Sequence, residues 1–154
     1  MRSAARRSSP ATPEPPSDAA EFISAGRVAR LGTADAAGRP LVVPVCYAFD
    51  GRYWYSAIDG KPKRASGRAL RRVRNIRENP RVSVLIDHYD EDWRRLRYVI
   101  IHGRARVLPR GPEQARALDL LSAKYPQYAQ VPLPRDGVVI RVTPESYVHW
   151  KYVA

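Results

Sequence analysis

The feature that most constrains the fold is a series of short runs rich in Val, Ile, Tyr and Trp, separated by turn residues. Such runs are typical of strands. Asp50-Gly51 joins the run from Leu41 to Phe49 to the run from Arg52 to Ala57, and Gly tolerates the positive φ of a tight hairpin turn. A second turn, Asp35–Gly38, precedes the first of these runs and follows the run from Val28 to Ala34. Three consecutive antiparallel strands are therefore predicted.

The second half of the chain alternates helical and extended patterns. Leu70, Val73 and Ile76 recur at helical spacing until Asn79-Pro80 ends the helix. The remaining predicted elements are a strand at Val82–Ile86, a strand from Arg97 to Leu108 with a bulge at His102-Gly103, a helix from about Gly111 to Tyr125, and a strand from Val138 through Val142 that continues from Tyr147 to Tyr152. Six or seven strands joined mainly as hairpins predict a mainly β (α+β) fold, an antiparallel barrel with short peripheral helices.

The length of 154 residues indicates one domain. Residues 1–16 contain four prolines and no apolar period, so they are predicted to be a disordered tail. Ser17 is expected to cap a helix that runs to Gly26, and the folded domain is expected to span residues 17–154.

The composition also bears on the compartment. Cys46 is the only cysteine, which excludes an intramolecular disulfide and a cysteine-built metal site. The N-terminal arginines are not followed by the apolar region of a signal peptide, and no run approaches the roughly 18 apolar residues of a membrane span. We expect a soluble cytoplasmic protein that does not bind membranes.

Several kinds of site find no support in the sequence. His88, His102 and His149 are scattered over three segments, without a spacing typical of zinc ligands. The acidic segment 87–92 lacks the spacing of a calcium-binding loop, and a solvated hairpin or an intersubunit salt bridge is the favoured interpretation. No Gly-x-Ser-x-Gly or phosphate-loop lysine motif occurs.

The most distinctive chemical feature is a basic stretch without any acidic residue, in a chain whose formal net charge is +12. A phosphate group needs several cationic donors at one point, ideally beside the start of a helix. A solvated helix face is the alternative. Nucleic-acid binding is disfavoured because no aromatic residue is interleaved with these cations. The stretch comprises Lys61, Lys63, Arg64, Arg68, Arg71, Arg72, Arg74 and Arg77.

The order of these motifs resembles a known family. Leu41–Phe49, the Asp50-Gly51 turn, Tyr53–Ser56 and a basic segment that runs into Arg74–Leu85 are similar to the pyridoxamine 5′-phosphate oxidase-like superfamily of FMN-binding-like split β-barrels. The resemblance covers roughly residues 20–107. The Gly-Lys-Pro-Lys-Arg segment and the acidic segment are most similar to the branch of probable F420-dependent proteins.

The resemblance implies a set of cofactor contacts. Backbone atoms of Val42, Val43 and Pro44 would lie beside the isoalloxazine or deazaflavin ring, and Tyr55 and Ser56 fall on a contact at a strand end. Arg71 and Arg72 match the family's phosphate-binding basic pair, and Asn75 on the same helix is assigned to the site. Lys61, Lys63 and Arg64 occupy an extended loop and are a second candidate group for the phosphate, by charge alone.

The resemblance also implies an activity. We expect a homodimer that binds coenzyme F420 at its interface and transfers a hydride between the deazaflavin and a small organic substrate, with no nucleic-acid partner. Pro40 and Val45 stand where oxidases that use flavin mononucleotide (FMN) commonly have Arg and Lys, which disfavours that cofactor. An FMN-dependent oxidase or reductase and a non-catalytic F420 carrier remain as alternatives. No residue is assigned a catalytic role, since the cofactor carries the redox chemistry.

Overall fold

Seven strands and three α-helices form the described part of the chain, residues 11–59 and 70–154, in this computed structural model. The strands are β1 (Ala29–Ala34), β2 (Pro40–Val45), β3 (Ala48–Phe49), β4 (Trp54–Ala57), β5 (Arg81–His88), β6 (Arg97–Val107) and β7 (Val139–Lys151). The helices are α1 (Ser17–Ala25), α2 (Arg71–Glu78) and α3 (Pro112–Lys124). Most of the predicted disordered tail, residues 1–10, lies outside the described residues, as does the loop 60–69.

All the strands pair antiparallel in a single curled sheet of order β2-β1-β5-β6-β7-β4-β3. This confirms the predicted fold class, an antiparallel split barrel with peripheral helices. The longest described helix, α3, has 13 residues, and none of the described helices is long and apolar enough to cross a bilayer.

Both predicted hairpin turns are confirmed. Between β1 and β2, the Asp35 carboxylate accepts hydrogen bonds from the N–H groups of Ala37 (2.9 Å) and Arg39 (3.0 Å). Between β3 and β4, Asp50 Oδ1 accepts from the N–H of Tyr53 (2.7 Å), and Gly51 has a φ of 93° that favours glycine. In each turn an aspartate satisfies the backbone donors that the strands leave free.

The prediction of one strand from Leu41 to Phe49 was wrong. The run breaks at Cys46 and Tyr47 into β2 and β3, which lie at opposite ends of the sheet order. The N–H of Tyr47 donates to the hydroxyl of Tyr125 (3.1 Å) instead of a neighbouring strand, and the Tyr47 ring stacks on Trp54 at 5.6 Å. Burial of the tyrosine ring therefore outweighs continuation of the strand.

The helix that follows the N-terminal tail starts differently from the expectation. Ser17 is not its N-cap: Pro16 holds that position, with no side-chain capping bond, and its carbonyl accepts the N–H of Ala19 at 2.8 Å. The fixed φ of proline favours this entry to the helix without a capping side chain. The helices predicted after Leu70 and around Gly111 to Tyr125 are confirmed as α2 and α3.

The predicted bulge at His102-Gly103 is confirmed. His102 pairs with Ser146 but Gly103 pairs with Pro144, so Glu145 is the extra residue, and it lies on β7. Because Pro144 has no N–H to donate, a bulge is a suitable place for it within the sheet.

The core divides into two clusters on opposite faces of the sheet, since residues adjacent along β4 and β7 belong to different clusters. The larger one packs α1 and α2 against inward side chains such as Trp54, Leu31 and Ile101. The smaller one packs α3 against Tyr55 and Val139.

The acidic segment that precedes β6 forms ion pairs within the chain, since Asp90 contacts Arg95 at 3.3 Å and Asp92 contacts Arg94 at 2.8 Å.

Lys124, at the end of α3, is an amine buried against aromatic rings. Its Nζ lies 3.9 Å from the centroid of the Tyr47 ring and has no hydrogen-bond partner among the described residues. Burial, and next the positive charge of Arg27, lower the pKa of Lys124 to about 8 from 10.5. The folded chain thus holds this proton less tightly than the unfolded chain does.

Lys124→Met should therefore flatten the pH dependence of stability. Between about pH 8 and pH 10.5 the unfolded wild type binds more protons than the folded form, so its free energy of unfolding should rise with pH. The slope should stay well below the limit of about 1.4 kcal/mol per pH unit for one proton, since the side chain is only half-buried. Urea titrations from about pH 7.5 to about pH 9.5 measure it, below the range in which unfolded tyrosines ionise. Lys151→Met, at an exposed lysine, is the control, and equal slopes for both variants would contradict the assignment.

Candidate functional site

The free edge of β2 has an unusual hydrogen-bonding capacity. The Asp35 N–H donates to the Arg39 carbonyl (3.2 Å), and bonded pairs alternate along an antiparallel ladder. The even-numbered residues of β2, Pro40, Val42 and Pro44, therefore turn their backbone polar groups away from β1. Proline has no N–H, so Val42 supplies the one outward N–H of this strand, together with its carbonyl. The two prolines therefore prevent a further strand from pairing with this edge. Val42 alone keeps both a free backbone donor and a free backbone acceptor there.

An open cleft of about 410 Å³ lies beside this edge. We call it the β2 cleft. Gly32 pairs with Val42 on one side and with Ser83 on the other, and both Val42 and Ser83 line the cleft. Since adjacent strands are about 4.8 Å apart, Gly32 forms the floor of a slot roughly 10 Å wide between them. A Cβ built on Gly32 would come only to 3.4 Å of the Ser83 carbonyl oxygen, so the space above the glycine is open.

Polar side chains form the wall of the β2 cleft opposite Val42. His102 Nδ1 and Ser83 Oγ lie 2.8 Å apart, within hydrogen-bonding distance, on neighbouring strands β6 and β5. Arg81 and Glu145 complete this wall. One side of the cleft is thus apolar with a backbone donor, and the other carries an imidazole, a hydroxyl, a guanidinium and a carboxylate.

Helix α2 is fixed against the β1–β2 hairpin by two polar contacts. Asn75 is buried and donates from Nδ2 to Thr33 Oγ1 at 3.0 Å, and Glu78 Oε2 accepts the N–H of Ala36 at 3.0 Å. Asn75 therefore has an internal partner and a positioning role.

Arg72 is half-buried in the first turn of α2, and its buried Nε has no hydrogen-bond partner among the described residues. Burial lowers the pKa of Arg72, and the charge of Asp59 partly offsets this effect.

The residues that the sequence assigned to the cofactor site differ in their exposure to solvent. Val42 is 65% exposed and Pro44 is also exposed, whereas the Val43 side chain packs against the core. Tyr55 is buried and donates from its hydroxyl to Glu113 Oε1 (3.2 Å), and Ser56 donates to the Cys46 carbonyl (2.9 Å). The hydroxyl groups of Tyr55 and Ser56 thus have hydrogen-bond partners within the chain.

Of the two candidate groups of basic residues, the structure describes only Arg71 and Arg72. Arg71 is exposed and Arg72 half-buried at the start of α2. The second candidate group, Lys61, Lys63 and Arg64, lies outside the described residues. Among the residues that the structure does describe, no three His, Cys, Asp or Glu side chains come together to hold a metal ion.

Sequence analysis missed the polar wall of the β2 cleft, formed by Arg81, Ser83, His102 and Glu145. Ser83 and His102 are 19 residues apart and become neighbours only through the register of β5 with β6. Alternation along each strand places them on the solvent side of the sheet, but the pairing register was needed to bring them together.

The residues present fit a ring carrying an anionic group. The slot above Gly32 would be filled by a larger side chain and is wide enough for a planar ring, and Val42 offers that ring a backbone donor and acceptor. Arg72 is not among the residues that line the β2 cleft, but its guanidinium has a buried Nε without a partner among the described residues and is the candidate cation for a phosphate. Uncharged Pro40 and Val45 flank the strand, as the sequence already indicated.

The chain matches a known protein family over most of its length. Residues 16–151 match the family model described as pyridoxamine 5′-phosphate oxidase. A 5a,11a-dehydrotetracycline/5a,11a-dehydrooxytetracycline reductase from Streptomyces rimosus is 35% identical over 96 residues, which make up 62% of this chain and 65% of that protein. The alignment therefore spans slightly less than two thirds of the relative.

Solved structures share the fold. A haem storage protein from Vibrio cholerae has 18% identity and a TM-score of 0.67, with 87% of this chain and 92% of that chain covered. An FAD-binding protein from Mesorhizobium loti has 25% identity and a TM-score of 0.66, with 86% and 89% covered. An F420 reductase has 21% identity and a TM-score of 0.57, with 83% and 94% covered. Because the family match extends over residues 16–151, well beyond half of its length, this chain belongs to the pyridoxamine 5′-phosphate oxidase family.

Proposed function

We propose that this chain is an oxidoreductase that binds coenzyme F420 in the β2 cleft and transfers a hydride between the deazaflavin and a small organic substrate. The observation that carries the proposal is the β2 edge, where two prolines leave Val42 as the one outward donor beside an open slot. A strand edge prepared in this way suits the polar rim of a flavin-like ring better than another strand.

The family and its relatives support a redox cofactor of this type. One curated relative is named as a reductase, one structural neighbour as an F420 reductase and another as an FAD-binding protein. The preference for F420 over FMN rests on this chain's own residues. Pro40 and Val45 provide no charge at the positions where FMN-dependent oxidases commonly carry Arg and Lys.

Bound in the cleft, the deazaflavin supplies a carbon that accepts or releases a hydride. The contributions of the protein are orientation and a defined environment. Val42 would hold the ring edge through its backbone, and Gly32 would let the ring approach the sheet. Arg72 would hold the phosphate, and its partial burial would strengthen a charge-assisted contact because less water competes for the guanidinium.

Arg72→Ala should weaken binding of the cofactor by about 1 to 3 kcal/mol, which is about 5- to 150-fold in Kd, because a charge-assisted contact to the phosphate is lost. Fluorescence titration with F420 measures the change. Arg74→Ala removes an exposed arginine of the same helix and is the control. An unchanged Kd in Arg72→Ala would refute the assignment of Arg72.

We further propose that the active form is a homodimer with the cofactor at its interface. The solvent side of the sheet carries an apolar band in which Leu85, Ile100 and Val148 lie opposite one another across three strands. Next to it Tyr98 stacks on Trp150 at 5.6 Å, and Trp150 is 41% exposed. A contiguous apolar band on a sheet face is typical of a surface that pairs with another chain.

Titration of the purified protein with F420 and with FMN, followed by fluorescence, tests the proposed function. We expect saturable binding of F420, weaker binding of FMN, and oxidation of reduced F420 with 5a,11a-dehydrotetracycline as the first acceptor tried. Tight FMN binding with a yellow protein would favour the FMN-dependent alternative. F420 binding without turnover over a broad panel of acceptors would favour a carrier. Absence of saturable binding for both cofactors would overturn the proposal.

A further inference from the structure

We infer that His102 is the proton-transfer residue of the β2 cleft and that Ser83 positions its imidazole. This rests on the proposed function, and it gives that function a catalytic side chain. Reduction of a polarised double bond by a hydride leaves an electron pair on the neighbouring atom, and a proton donor near the ring accelerates the step. The hydrogen-bonded pair His102–Ser83 is the group in the cleft built to supply that proton.

The geometry leaves one ring nitrogen available. Nδ1 of His102 lies 2.8 Å from Ser83 Oγ, and no hydrogen bond or ion pair joins Nε2 to another described residue. When the imidazole carries both protons, Nδ1–H donates to Ser83 and Nε2–H is the proton to be delivered. The side chain is exposed to the cleft, so a substrate lying on the ring can reach it.

The position relative to the ring follows from the strand order. Val42, Gly32, Ser83 and His102 occupy successive strands in one row across the sheet. A ring held at Val42 and lying over Gly32 therefore has the His102–Ser83 pair at its far side. A substrate bound on such a ring would lie within reach of the imidazole.

The charged groups that face His102 come from three strands. Arg81 lies on β5, Arg104 is two residues further along β6, and Glu145 on β7 lines the same cleft. The pH profiles of the His102 and Ser83 variants are therefore measured in a cleft that holds two cations and one anion near the imidazole.

A hydride leaves the reduced cofactor with two electrons and bonds to one carbon of the substrate double bond. The π electrons move to the neighbouring atom, and the Nε2–H bond of His102 breaks as its proton bonds there. The substrate is reduced by two electrons and the cofactor is oxidised by two. A second proton leaves the cofactor for water, and water returns one to His102 through the open cleft.

His102→Gln tests the proposal, with Ser83→Ala and Ser83→Thr as positioning variants and His88→Gln as the control at an exposed histidine outside the cleft. We expect His102→Gln to lower kcat about 100-fold, the usual range for loss of a general acid, while Kd for F420 stays within about twofold.

In the wild type, kcat for substrate reduction should fall as pH rises, because a neutral imidazole has no second proton to give. This fall should vanish in His102→Gln. Ser83→Ala should lower kcat about 10-fold, and Ser83→Thr should restore it.

A second measurement does not depend on activity. The chain has three histidines, so their imidazole NMR signals can be assigned by single substitutions. Addition of F420 should shift the His102 signals and leave those of His88 unchanged. The largely buried ring of His149 lies between Arg97 and Asp18, away from the cleft, and is a second internal reference.

The outcomes separate this inference from the proposed function. A His102→Gln variant with kcat within about twofold of the wild type, or a loss of F420 affinity as large as the loss of kcat, would overturn the role of His102 while the oxidoreductase stands. Bound F420 that leaves the His102 signals unshifted would do the same. Failure of the wild type to bind either cofactor would overturn both.

Discussion

Gly103→Ala should destabilise the fold by about 3 kcal/mol or more, the upper range for overpacking a closed site. A Cβ on Gly103 would lie 2.3 Å from the Thr143 carbonyl oxygen and 3.2 Å from the Cα of Pro144, both backbone atoms of β7. Backbone cannot rotate away as a side chain does, so β6 and β7 would have to separate. This pairing extends over eleven residue pairs at the centre of the sheet. Chemical denaturation followed by circular dichroism measures the loss.

Gly111→Ala is the matched control for this substitution. A Cβ on Gly111 meets nothing within 4 Å, and its φ of 162° is extended backbone that any residue adopts. The two variants add the same methyl group, so their difference isolates the contact with β7. Equal stability of the two variants would show that β6 and β7 adapt to the extra methyl group.

Gly32→Val should strongly weaken cofactor binding while the fold is kept. The glycine forms the floor of the β2 cleft, and a β-branched side chain there would occupy the slot between Val42 and Ser83 where the ring is proposed to lie. A ring displaced from that slot loses both its packing on the sheet and its contact with Val42. We expect Kd for F420 to rise more than about 100-fold, or about 2.7 kcal/mol. Stability should change little, since valine favours a strand and the position faces solvent.

Gly32→Ala is the graded control, because its methyl group makes only an ordinary contact with the Ser83 carbonyl oxygen at 3.4 Å. An intermediate loss of affinity is expected. Fluorescence titration measures binding, and thermal unfolding confirms that each variant is folded. Wild-type affinity in Gly32→Val would place the ring elsewhere on the protein.

Much of the fold could be predicted from local signals. The Asp50-Gly51 turn needs only an aspartate and a glycine, and both the hairpin and the side-chain bonds to Asp50 follow from them. The position of the bulge was also foreseeable, because His102 and Gly103 interrupt an alternating run, although the extra residue, Glu145, lies opposite them on β7. These features depend on a few residues that are adjacent in the sequence.

The wrong predictions concern positions where residues distant in the sequence determine the local structure. The apolar run from Leu41 to Phe49 contains Pro44, yet the strand continues through this proline and ends only at Val45. Its interruption instead coincides with Tyr125, which lies 78 residues from Tyr47 and accepts the Tyr47 N–H. The pair Ser83–His102 likewise needs the β5–β6 register. Pro16 replaced Ser17 at the start of α1 because either residue suits an N-terminus, and local preference did not separate them.

The break at Cys46 and Tyr47 links two distant parts of the molecule. These two residues connect β2, at one end of the sheet, with β3 at the other, and the Tyr47 N–H is bonded to Tyr125 at the end of α3. Whatever is bound at Val42 is therefore only a few peptide units from the packing of α3. We expect a ligand that orders β2 to order the packing of Tyr125 as well. If it does, a well-packed α3 must strengthen binding of that ligand by the same coupling free energy.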